Sequence, residues 1–534
     1  MRKMQWSQEV ILFVLCFMFC SLQLGGTTLL VPSQYPTIQA GLNAAQAGDT
    51  VLVAPGTYVE NIAWPSFDGI VLISEDGADT TAIDGDGGGR VIGFPNISFS
   101  NNTEIIGFTI QNGYAVQGAG IYISQGSPYI HENIIQRNIA TGSSTWVYGG
   151  GIFCDGTGTP LIANNTIRGN AAKGDYWNYG GGIYIDNQNS ATIWGNIIES
   201  DSTIGGYWNY GSGIYCDGGS SPDIRHNIIQ NNVAFQGDRG HGAGIYVDND
   251  CNAYILSNLI CNNTAQSGSW NYGGGMLINS GAEVLNNTIV GNSCFGGNWN
   301  YGGGIRIYDS TNTIGNNIIV NNSASTGGGI YAASGDHATL LNNDVWNNTG
   351  GNYSGISPGP NDISVDPLFV AGPLGNYYLS QISAGQGQDS PCIDYGFATA
   401  ESLELDTYTT RTDTVPDSAI VDIGYHYPTT AVVSVEENKP VSQNSTFRVT
   451  PSISRSQYKI YLTINAQTYL KLEVFDRSGR LQRTIFNGGL CPGEHELTWN
   501  GYNTTGNPAS SGIYFITVEM GNSERLSKKV ILIQ

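Results

Sequence analysis

The chain has 534 residues, of which 73 are glycine and only 12% are charged, and its formal net charge is -22 at pH 7. This length allows two or three domains with a sizeable core. The acidic balance argues against nucleic acid as a partner, because binding to phosphates calls for basic patches.

The N-terminus has the features of a secretory signal peptide over residues 1–26. Arg2 and Lys3 precede an apolar run over residues 10–24, and small residues follow. The run is too short to span a bilayer comfortably. We therefore expect a mature chain without a transmembrane span, which is secreted or attached to the outer surface of the cell.

The next segment, residues 31–61, predicts an end cap. Residues 31–40 read as an amphipathic helix, and the sequence Asp49-Thr-Val-Leu-Val-Ala-Pro-Gly56 follows. Such a cap would cover the open strand edges and the core that the first coil of a repeat protein otherwise exposes.

A glycine-rich motif that ends in an apolar residue then recurs eight times, at steps of 31, 31, 31, 31, 31, 29 and 25 residues. Its last residues are Ile121, Ile152, Ile183, Ile214, Ile245, Met276, Ile305 and Ile330. Two short strands separated by turns in each repeat, without a 3.6-residue apolar period, predict one coil of a parallel β-helix. Stacked coils place equivalent residues above one another, so these residues are predicted to form an inward column. Cys154 and Cys216, two positions later in their repeats, are predicted to be small core residues.

A second motif, Asn-x-Ile-x-x-Asn or a close variant, keeps the same period. Its first asparagines are Asn133, Asn165, Asn196, Asn227, Asn258, Asn287, Asn317 and Asn343. We expect their amides to stack in hydrogen bonds at a turn, which is a structural role.

The segment before the repeats resembles the N-terminal cap of pectin-lyase-like proteins, and the repeats resemble the parallel β-helix repeat of that superfamily. The sequences that begin at Ser364, Ser390 and Val421 resemble the closing segment often seen in bacterial members. The resemblance covers residues 28–428. It implies an all-β, right-handed parallel β-helix with an N-terminal helical cap, over residues 27–430.

The residue after each repeat isoleucine is predicted to point outward. These residues are Tyr122, Phe153, Tyr184, Tyr215, Tyr246, Leu277, Arg306 and Tyr331. Aromatic rings on a solvated face suit the apolar faces of sugars, so Tyr184, Tyr215 and Tyr246 are candidate substrate-binding residues. The alternative is that the rings simply stack on one another.

The next outward position carries a carboxylate in four consecutive repeats: Asp155, Asp186, Asp217 and Asp248. Like charges one coil apart favour raised pKa values or a bound cation, and calcium is the hard cation that prefers oxygen ligands. Asp186, Asp217 and Asp248 are therefore candidate calcium ligands. The alternative is a local role in turns, where aspartate is favoured.

A third column precedes the glycines and consists of Trp146, Trp177, Trp208, Trp270 and Trp299, mostly within Trp-Asn-Tyr. Trp177 and Trp208 are candidate carbohydrate-binding residues, although mutual packing explains the column equally well. In one repeat Arg239-Gly-His241 replaces this sequence. His241 reads as a tolerated substitution rather than a catalyst.

The C-terminal part reads as a separate domain. Residues 431–445 form a polar linker, and residues 446–534 give alternating strands separated by turns, which predicts a small β-sandwich. The sequences Leu472-Glu-Val-Phe-Asp476 and Ser511-Gly-Ile-Tyr-Phe515 look like the immunoglobulin-like module that bacterial type IX secretion uses as a sorting signal. The resemblance implies the type IX machinery as a partner. A simple accessory β-sandwich is the alternative.

The sequence leaves open whether the chain is an enzyme. The superfamily includes pectate lyases, in which calcium neutralises a uronate and a basic residue abstracts a proton, and this resemblance would assign the base to Arg225, Arg306 or Lys173. The glycoside hydrolases of the superfamily need paired or triple aspartates in a local motif, and Asp248-Asn-Asp250 resembles such a motif only weakly. The regularity of the repeats favours a non-catalytic polysaccharide-binding protein, with a calcium-dependent lyase or a glycoside hydrolase as the alternative.

Overall fold

The computed structural model describes residues 26–143, 145–308, 312–429, 446–450, 453–454, 457–464, 468–476, 480–490, 493–504, 506–510, 512–520 and 524–532. The chain divides into two compact units, Met1–Thr429 and Thr430–Gln534. The predicted signal peptide, apart from Gly26, and the predicted linker lie outside the described residues.

The first unit is a parallel β-solenoid with three long sheets, counted over its described residues. Sheet I has twelve strands: Thr28–Val31, Thr50–Val53, Val71–Ser74, Glu104–Ile106, Tyr129–His131, Leu161–Ala163, Thr192–Trp194, Asp223–Arg225, Asn252–Leu256, Gly281–Leu285, Asn312–Gly315 and Ala338–Leu341. Sheet II has eleven: Gly56–Val59, Thr81–Asp84, Thr109–Gln111, Ile134–Gln136, Thr166–Arg168, Ile197–Glu199, Ile228–Gln230, Leu259–Cys261, Thr288–Val290, Ile318–Val320 and Asp344–Trp346. Sheet III has eleven: Ile62–Ala63, Ile92–Phe94, Ile121–Ile123, Ile152–Cys154, Ile183–Ile185, Ile214–Cys216, Ile245–Val247, Met276–Ile278, Ile305–Ile307, Ile330–Ala332 and Tyr353–Ser354.

Two further parallel sheets arise where the chain passes from sheet II to sheet III in the longer coils. Sheet IV contains Tyr114–Ala115, Ile139–Gly142, Ala171–Gly174, Ser202–Ile204, Val233–Phe235, Thr264–Gln266 and Ser293–Cys294. Sheet V contains Val147–Tyr148, Trp177–Tyr179, Trp208–Tyr210, Arg239–His241, Trp270–Tyr272 and Trp299–Tyr301. The step from Ile305 to Ile330 is short because that coil has no strand in sheet V within the described residues.

The predicted inward column is confirmed by the register of sheet III. Ile121 pairs with Ile152, and the same register continues coil by coil to Ile330. All eight column residues are fully buried, as are Cys154 and Cys216. Because each buried aliphatic side chain contributes about 1.5–3 kcal/mol, these columns supply much of the stability of the coil stack.

The predicted asparagine column is also confirmed. The Oδ1 atom of Asn227 accepts hydrogen bonds from the backbone N–H (2.9 Å) and the side-chain amide (3.0 Å) of Asn196, one coil earlier. A second ladder, which the sequence analysis did not separate from the first, follows five residues later and contains Asn138, Asn170, Asp201, Asn232, Asn263, Asn292, Asn322 and Asn348. These ladders satisfy polar groups at turns that face the core.

One α-helix, Ile38–Ala44, is present among the described residues. The side chain of Thr37 caps its first turn by accepting a hydrogen bond from the backbone N–H of Ala40. Ile38 and Leu42 are buried in the same core cluster as the first strands of sheet I. Gly41 allows the close approach, since a Cβ atom there would lie 3.0 Å from Val51 Cγ1.

Residues 369–428, here called the lateral segment, run back along the outer faces of sheets I and II. Its regular elements are the strands Phe369–Gly372, Gly375–Leu379, Tyr408–Thr409 and Tyr427–Pro428 and the 3-10 helices Ile382–Ala384 and Glu401–Leu403. Glu404 pairs with Arg225 at 2.7 Å, the backbone N–H of Tyr425 donates to Thr288 Oγ1, and the carbonyl of Tyr395 accepts from Asn342. The lateral segment therefore contacts coils from Arg225 to Asn342.

The second unit is a small β-domain with two sheets in its described residues. One contains Thr446–Thr450, Tyr458–Ile464 and Gly493–Trp499, and the other Ile453–Ser454, Thr468–Asp476, Leu481–Leu490, Gly512–Met520 and Glu524–Leu532. Tyr458, Leu472, Trp499 and Ile516 are buried in its core. Over the described part of the chain, no helix combines the length and the hydropathy that a membrane crossing requires.

Candidate functional site

The tyrosine column points away from the solenoid core, as predicted, but sheet V covers it, so the face is not solvated. Tyr184, Tyr215 and Tyr246 are only 2%, 1% and 5% exposed. Each ring lies under a tyrosine of sheet V; Tyr179, for example, stacks on Tyr215 with 5.1 Å between ring centroids. Because the longer coils fold back over sheet III, the column forms a second, aromatic core. A sugar cannot reach these three rings in this structure.

The tryptophan column forms a continuous stack on the outer edge of sheet V. Ring centroids are 4.6 Å apart between Trp146 and Trp177, and 4.4 Å between Trp177 and Trp208. In the coil that has no tryptophan in this column, Arg239 lies between the neighbouring rings. Its guanidinium carbon is 4.6 Å from the Trp208 ring centroid and 3.8 Å from the Trp270 ring centroid. The ring faces of Trp177 and Trp208 are thus covered by their neighbours, so the geometry favours mutual packing over a sugar platform at these two residues.

His241 continues the tyrosine positions of sheet V. Its ring stacks between Tyr210 and Tyr272, with centroid distances of 5.1 and 4.9 Å. Burial, together with the positive charges of Arg239 and Arg306, lowers the pKa of His241 to about 3. A neutral, buried imidazole in an aromatic stack fits the predicted tolerated substitution.

The aspartate column is held by hydrogen bonds from the aromatic core and from neighbouring turns. The hydroxyls of Tyr184 and Tyr215 donate to Asp186 (2.8 Å) and Asp248 (2.9 Å), and the Asn249 amide donates to Asp217 (2.8 Å). Burial raises the pKa values of Asp186 and Asp217. These carboxylates already have protein partners and take part in turns, so the arrangement fits a calcium site poorly. Calcium binding by this column stays a prediction.

The three candidate bases lie apart from one another. Arg225 is on sheet I and pairs with Asp223 and Glu404 at 2.6 and 2.7 Å. Arg306 is buried in the outward column of sheet III and pairs with Asp336 at 2.8 Å. Lys173 is exposed on sheet IV, next to Thr141 and Ile204 in register. The structure does not gather these three residues around the aspartates.

An open depression lies over the first coils of sheet III, with a volume of about 700 Å³. Its floor is formed by the outward positions Ala63 and Gly93, which are in register with Tyr122. Over the described residues, sheet V begins only at Val147, so no covering strand lies above this part of sheet III. The full lining is Asn61, Ile62, Ala63, Trp64, Arg90, Gly93, Phe94, Pro95, Asn96, Tyr122, Ser124 and Asp155.

Tyr122 and Asp155 are the first members of the two outward columns, and both are half-buried, whereas Tyr184, Tyr215 and Tyr246 are buried. The Tyr122 hydroxyl donates to Asp155 Oδ2 at 2.8 Å, and burial together with this carboxylate raises the pKa of Tyr122. Arg90 lies against the Tyr122 ring, 4.2 Å from its centroid. Arg90 precedes the first glycine-rich repeat, so the repeat pattern points neither to this residue nor to the depression.

A group of carboxylates was also missed, in the lateral segment. One oxygen from each of Asp394, Asp417 and Asp422 lies within 4.8 Å of the others. His426 Nε2 lies 2.8 Å from Asp417 Oδ2, and Thr410 donates to Asp422. Burial raises the pKa of Asp422. These hydrogen bonds join residues of the lateral segment to one another and hold that segment together.

Three family models match parts of the chain. One described as a right handed beta helix region matches residues 62–289, one described as disaggregatase related matches residues 248–396, and one described as an FlgD Ig-like domain matches residues 445–524. The search of curated proteins gives no match. With the stacked parallel coils, the first match identifies a right-handed β-helix repeat protein, and the last identifies its C-terminal unit as an FlgD Ig-like domain.

Proposed function

We propose that this β-helix protein is an exported, non-catalytic protein that binds polysaccharide in the depression over Ala63 and Gly93. The observation that carries the proposal is the open end of the aromatic column: the rings stop at Tyr122, and the covering strands of sheet V stop as well. Carbohydrate sites combine an aromatic surface with convergent polar groups. Tyr122 forms an aromatic wall with Arg90 over its ring face, and Arg90, Asn61, Asn96 and Asp155 supply polar groups.

The proposed binding surface lies at the N-terminal end of the tyrosine and aspartate columns. The stacked columns of tyrosine and aspartate supply a rigid wall, of which Tyr122 and Asp155 line the depression. Coils stacked about 4.8 Å apart leave roughly 10 Å of flat strand surface at Ala63 and Gly93. The surface is therefore extended along the stacking axis, which suits a chain of sugars.

Filling the depression tests the proposal. Ala63 is exposed, so Ala63→Trp adds a large side chain on the floor without disturbing the core. We expect this variant to lose at least tenfold in affinity for any polysaccharide that the full chain binds, because the added ring occupies the space of the sugar. Affinity electrophoresis through gels containing individual polysaccharides measures the change.

The matched control is Val59→Trp. Val59 is 64% exposed on sheet II, so the Val59→Trp variant carries the same added side chain away from the depression. We expect it to bind the polysaccharide as tightly as the unaltered chain does. Equal affinity of the Ala63→Trp variant and the unaltered chain would reject the depression as the binding site.

The lyase or hydrolase alternative gains less support. Arg225 and Arg306 are engaged in ion pairs on different faces, and the candidate calcium ligands are hydrogen-bonded to tyrosines and asparagines. A pectin-lyase-like relationship therefore rests on the fold, and fold alone does not assign an activity. The helix Ile38–Ala44, buried against the first strands of sheet I, is the proposed N-terminal cap of the solenoid.

The C-terminal unit is proposed to direct export through the type IX machinery. Its support is the resemblance of residues 446–534 to the sorting module and the presence of an Ig-like β-domain in a unit of its own. In a bacterium that has this machinery, a chain ending at residue 445 is expected to accumulate inside the outer membrane, whereas the full chain reaches the medium or the cell surface. Immunoblots of cell fractions distinguish the two. Equal export of both chains would leave the unit as an accessory β-domain.

A further inference from the structure

Arg90 is fixed in place at the wall of the depression. Its Nε donates to the carbonyl of Gly118 at 3.3 Å and its Nη2 donates to that of Gln117 at 2.7 Å. The stem passes over Gly93, where a Cβ atom would lie 3.0 Å from Arg90 Cδ. The guanidinium is therefore presented in one orientation, between the Tyr122 ring and the open space.

The charge of Arg90 has no counter-ion in the described chain. No carboxylate among the described residues lies within ion-pair distance of its guanidinium. Asp155 lines the same depression, but its Oδ2 accepts from Tyr122 and its Oδ1 accepts from the Asn187 amide at 2.6 Å. Burial lowers the pKa of Arg90, which reflects the cost of holding this cation away from water.

A guanidinium has five N–H donors, and two of them are used by the carbonyls of Gly118 and Gln117. The described chain offers no further acceptor to the Nη1 group. A half-buried, oriented cation with free donors beside an open space is the arrangement that binds planar or tetrahedral oxyanions.

We propose that Arg90 forms a subsite for an anionic group, a carboxylate or a sulfate ester, on the polysaccharide that occupies the depression. This inference rests on the proposed function and adds the chemical class of the ligand. The overall charge of the protein, -22 at pH 7, repels polyanions, so a preference for acidic glycans has to come from a local cation.

The test compares polysaccharides that differ in their charge, by isothermal titration calorimetry in about 0.15 M salt. Polygalacturonate is paired with its methyl ester, and dextran sulfate with dextran, so that the carboxylate and the sulfate are examined separately. The unaltered chain is expected to bind the charged member of at least one pair tenfold or more tightly than the neutral member. Arg90→Gln is expected to abolish this difference, and Arg90→Lys to keep part of it.

Arg168→Gln serves as the matched control, since Arg168 is an exposed arginine on sheet II and its loss changes the net charge equally. Thermal unfolding of the Arg90→Gln variant shows whether the fold is kept, and Arg90→Lys retains the cation if the glutamine variant does not fold. Equal binding of charged and neutral members, or a preference that survives in Arg90→Gln, overturns the anion subsite and leaves polysaccharide binding intact. Binding that Ala63→Trp does not weaken overturns the proposed function itself.

Discussion

Replacing Asn227 with alanine is expected to lower the free energy of unfolding by about 4 kcal/mol. Its amide nitrogen donates to the carbonyls of Ile193 (2.8 Å) and Arg225 (2.9 Å) and to Asn258 Oδ1 (2.9 Å). Its oxygen accepts from the backbone and side chain of Asn196. The substitution removes all five of these hydrogen bonds, leaves the backbone N–H of Asn196 without its acceptor and opens a cavity, although Asn258 Oδ1 and the Asn196 amide keep other partners. Urea unfolding followed by tryptophan fluorescence measures the loss.

Asn298→Ala provides the comparison for Asn227→Ala. Asn298 is exposed beside Trp299, and its substitution removes the same amide group. We expect this variant to change the free energy of unfolding by less than about 0.5 kcal/mol. If the Asn227 and Asn298 variants unfold at the same urea concentration, the asparagine ladder does not stabilise the coils as described.

Replacing Asp201 with asparagine is expected to raise the free energy of unfolding by at least ~2 kcal/mol at pH 7. Asp201 stands where every other described member of the second ladder is an asparagine, and its Oδ1 accepts from the backbone and side chain of Asn170. Its Oδ2 is buried without a hydrogen-bond partner in the described chain. An amide nitrogen at that position could donate as Asn232 does to the carbonyl of Ile198, so the substitution completes the ladder.

The stabilisation from Asp201→Asn should depend on pH. Burial raises the pKa of Asp201 well above that of a free aspartate, and the hydrogen bonds from Asn170 do not offset this. Below about pH 4 the acid is protonated in both the folded and unfolded states. Above that pH the unfolded chain releases its proton while the folded chain keeps it, so the unaltered protein loses about 1.4 kcal/mol per pH unit until the pH passes the folded pKa.

Unfolding of the Asp201→Asn variant and the unaltered protein between pH 5 and pH 8 measures this slope. The gain in stability of the variant is expected to increase with pH. Asp175→Asn removes the same charge from an exposed position and is expected to change the stability by less than about 0.5 kcal/mol. A gain that is constant across this range would mean that Asp201 is ionised in the folded protein.

The coil register could be predicted because the repeat step is constant. A side-chain period of two and a fixed coil length leave only one way to stack Ile121 on Ile152. The first asparagine ladder follows from the same regularity. The second ladder, and with it Asp201, was equally visible at the end of Asn196-Ile-Ile-Glu-Ser-Asp201, but only the first asparagine of the motif was followed.

The burial of the tyrosine column could not be predicted from the repeat length alone. The extra residues of the longer coils could project into solvent or fold back, and only the tertiary structure shows that they add sheets IV and V. One signal was present: in Trp177-Asn-Tyr179 two aromatic residues flank a polar one, which is the pattern of a strand with one apolar face. Asn178 lies on the opposite face, fully buried, and accepts from the backbone N–H of Gly174 at 2.5 Å.

The depression was beyond prediction for a different reason. It exists because sheet V begins at Val147, one coil after Tyr122, and because Ala63 and Gly93 are small where later coils carry rings. Neither strand that carries these two residues belongs to the eight glycine-rich repeats, so their register with Tyr122 had to come from the structure.

The lateral segment changes how the solenoid comes apart. A stack of repeats ordinarily frays one coil at a time from an open end, because each coil touches only its neighbours. Here the lateral segment is bonded to Arg225, Thr288 and Asn342. The coils between these residues therefore cannot separate until the lateral segment detaches. The C-terminal half of the β-helix therefore behaves as one cooperative block, and opening under thermal or mechanical stress starts in the unfastened N-terminal coils, where the depression lies.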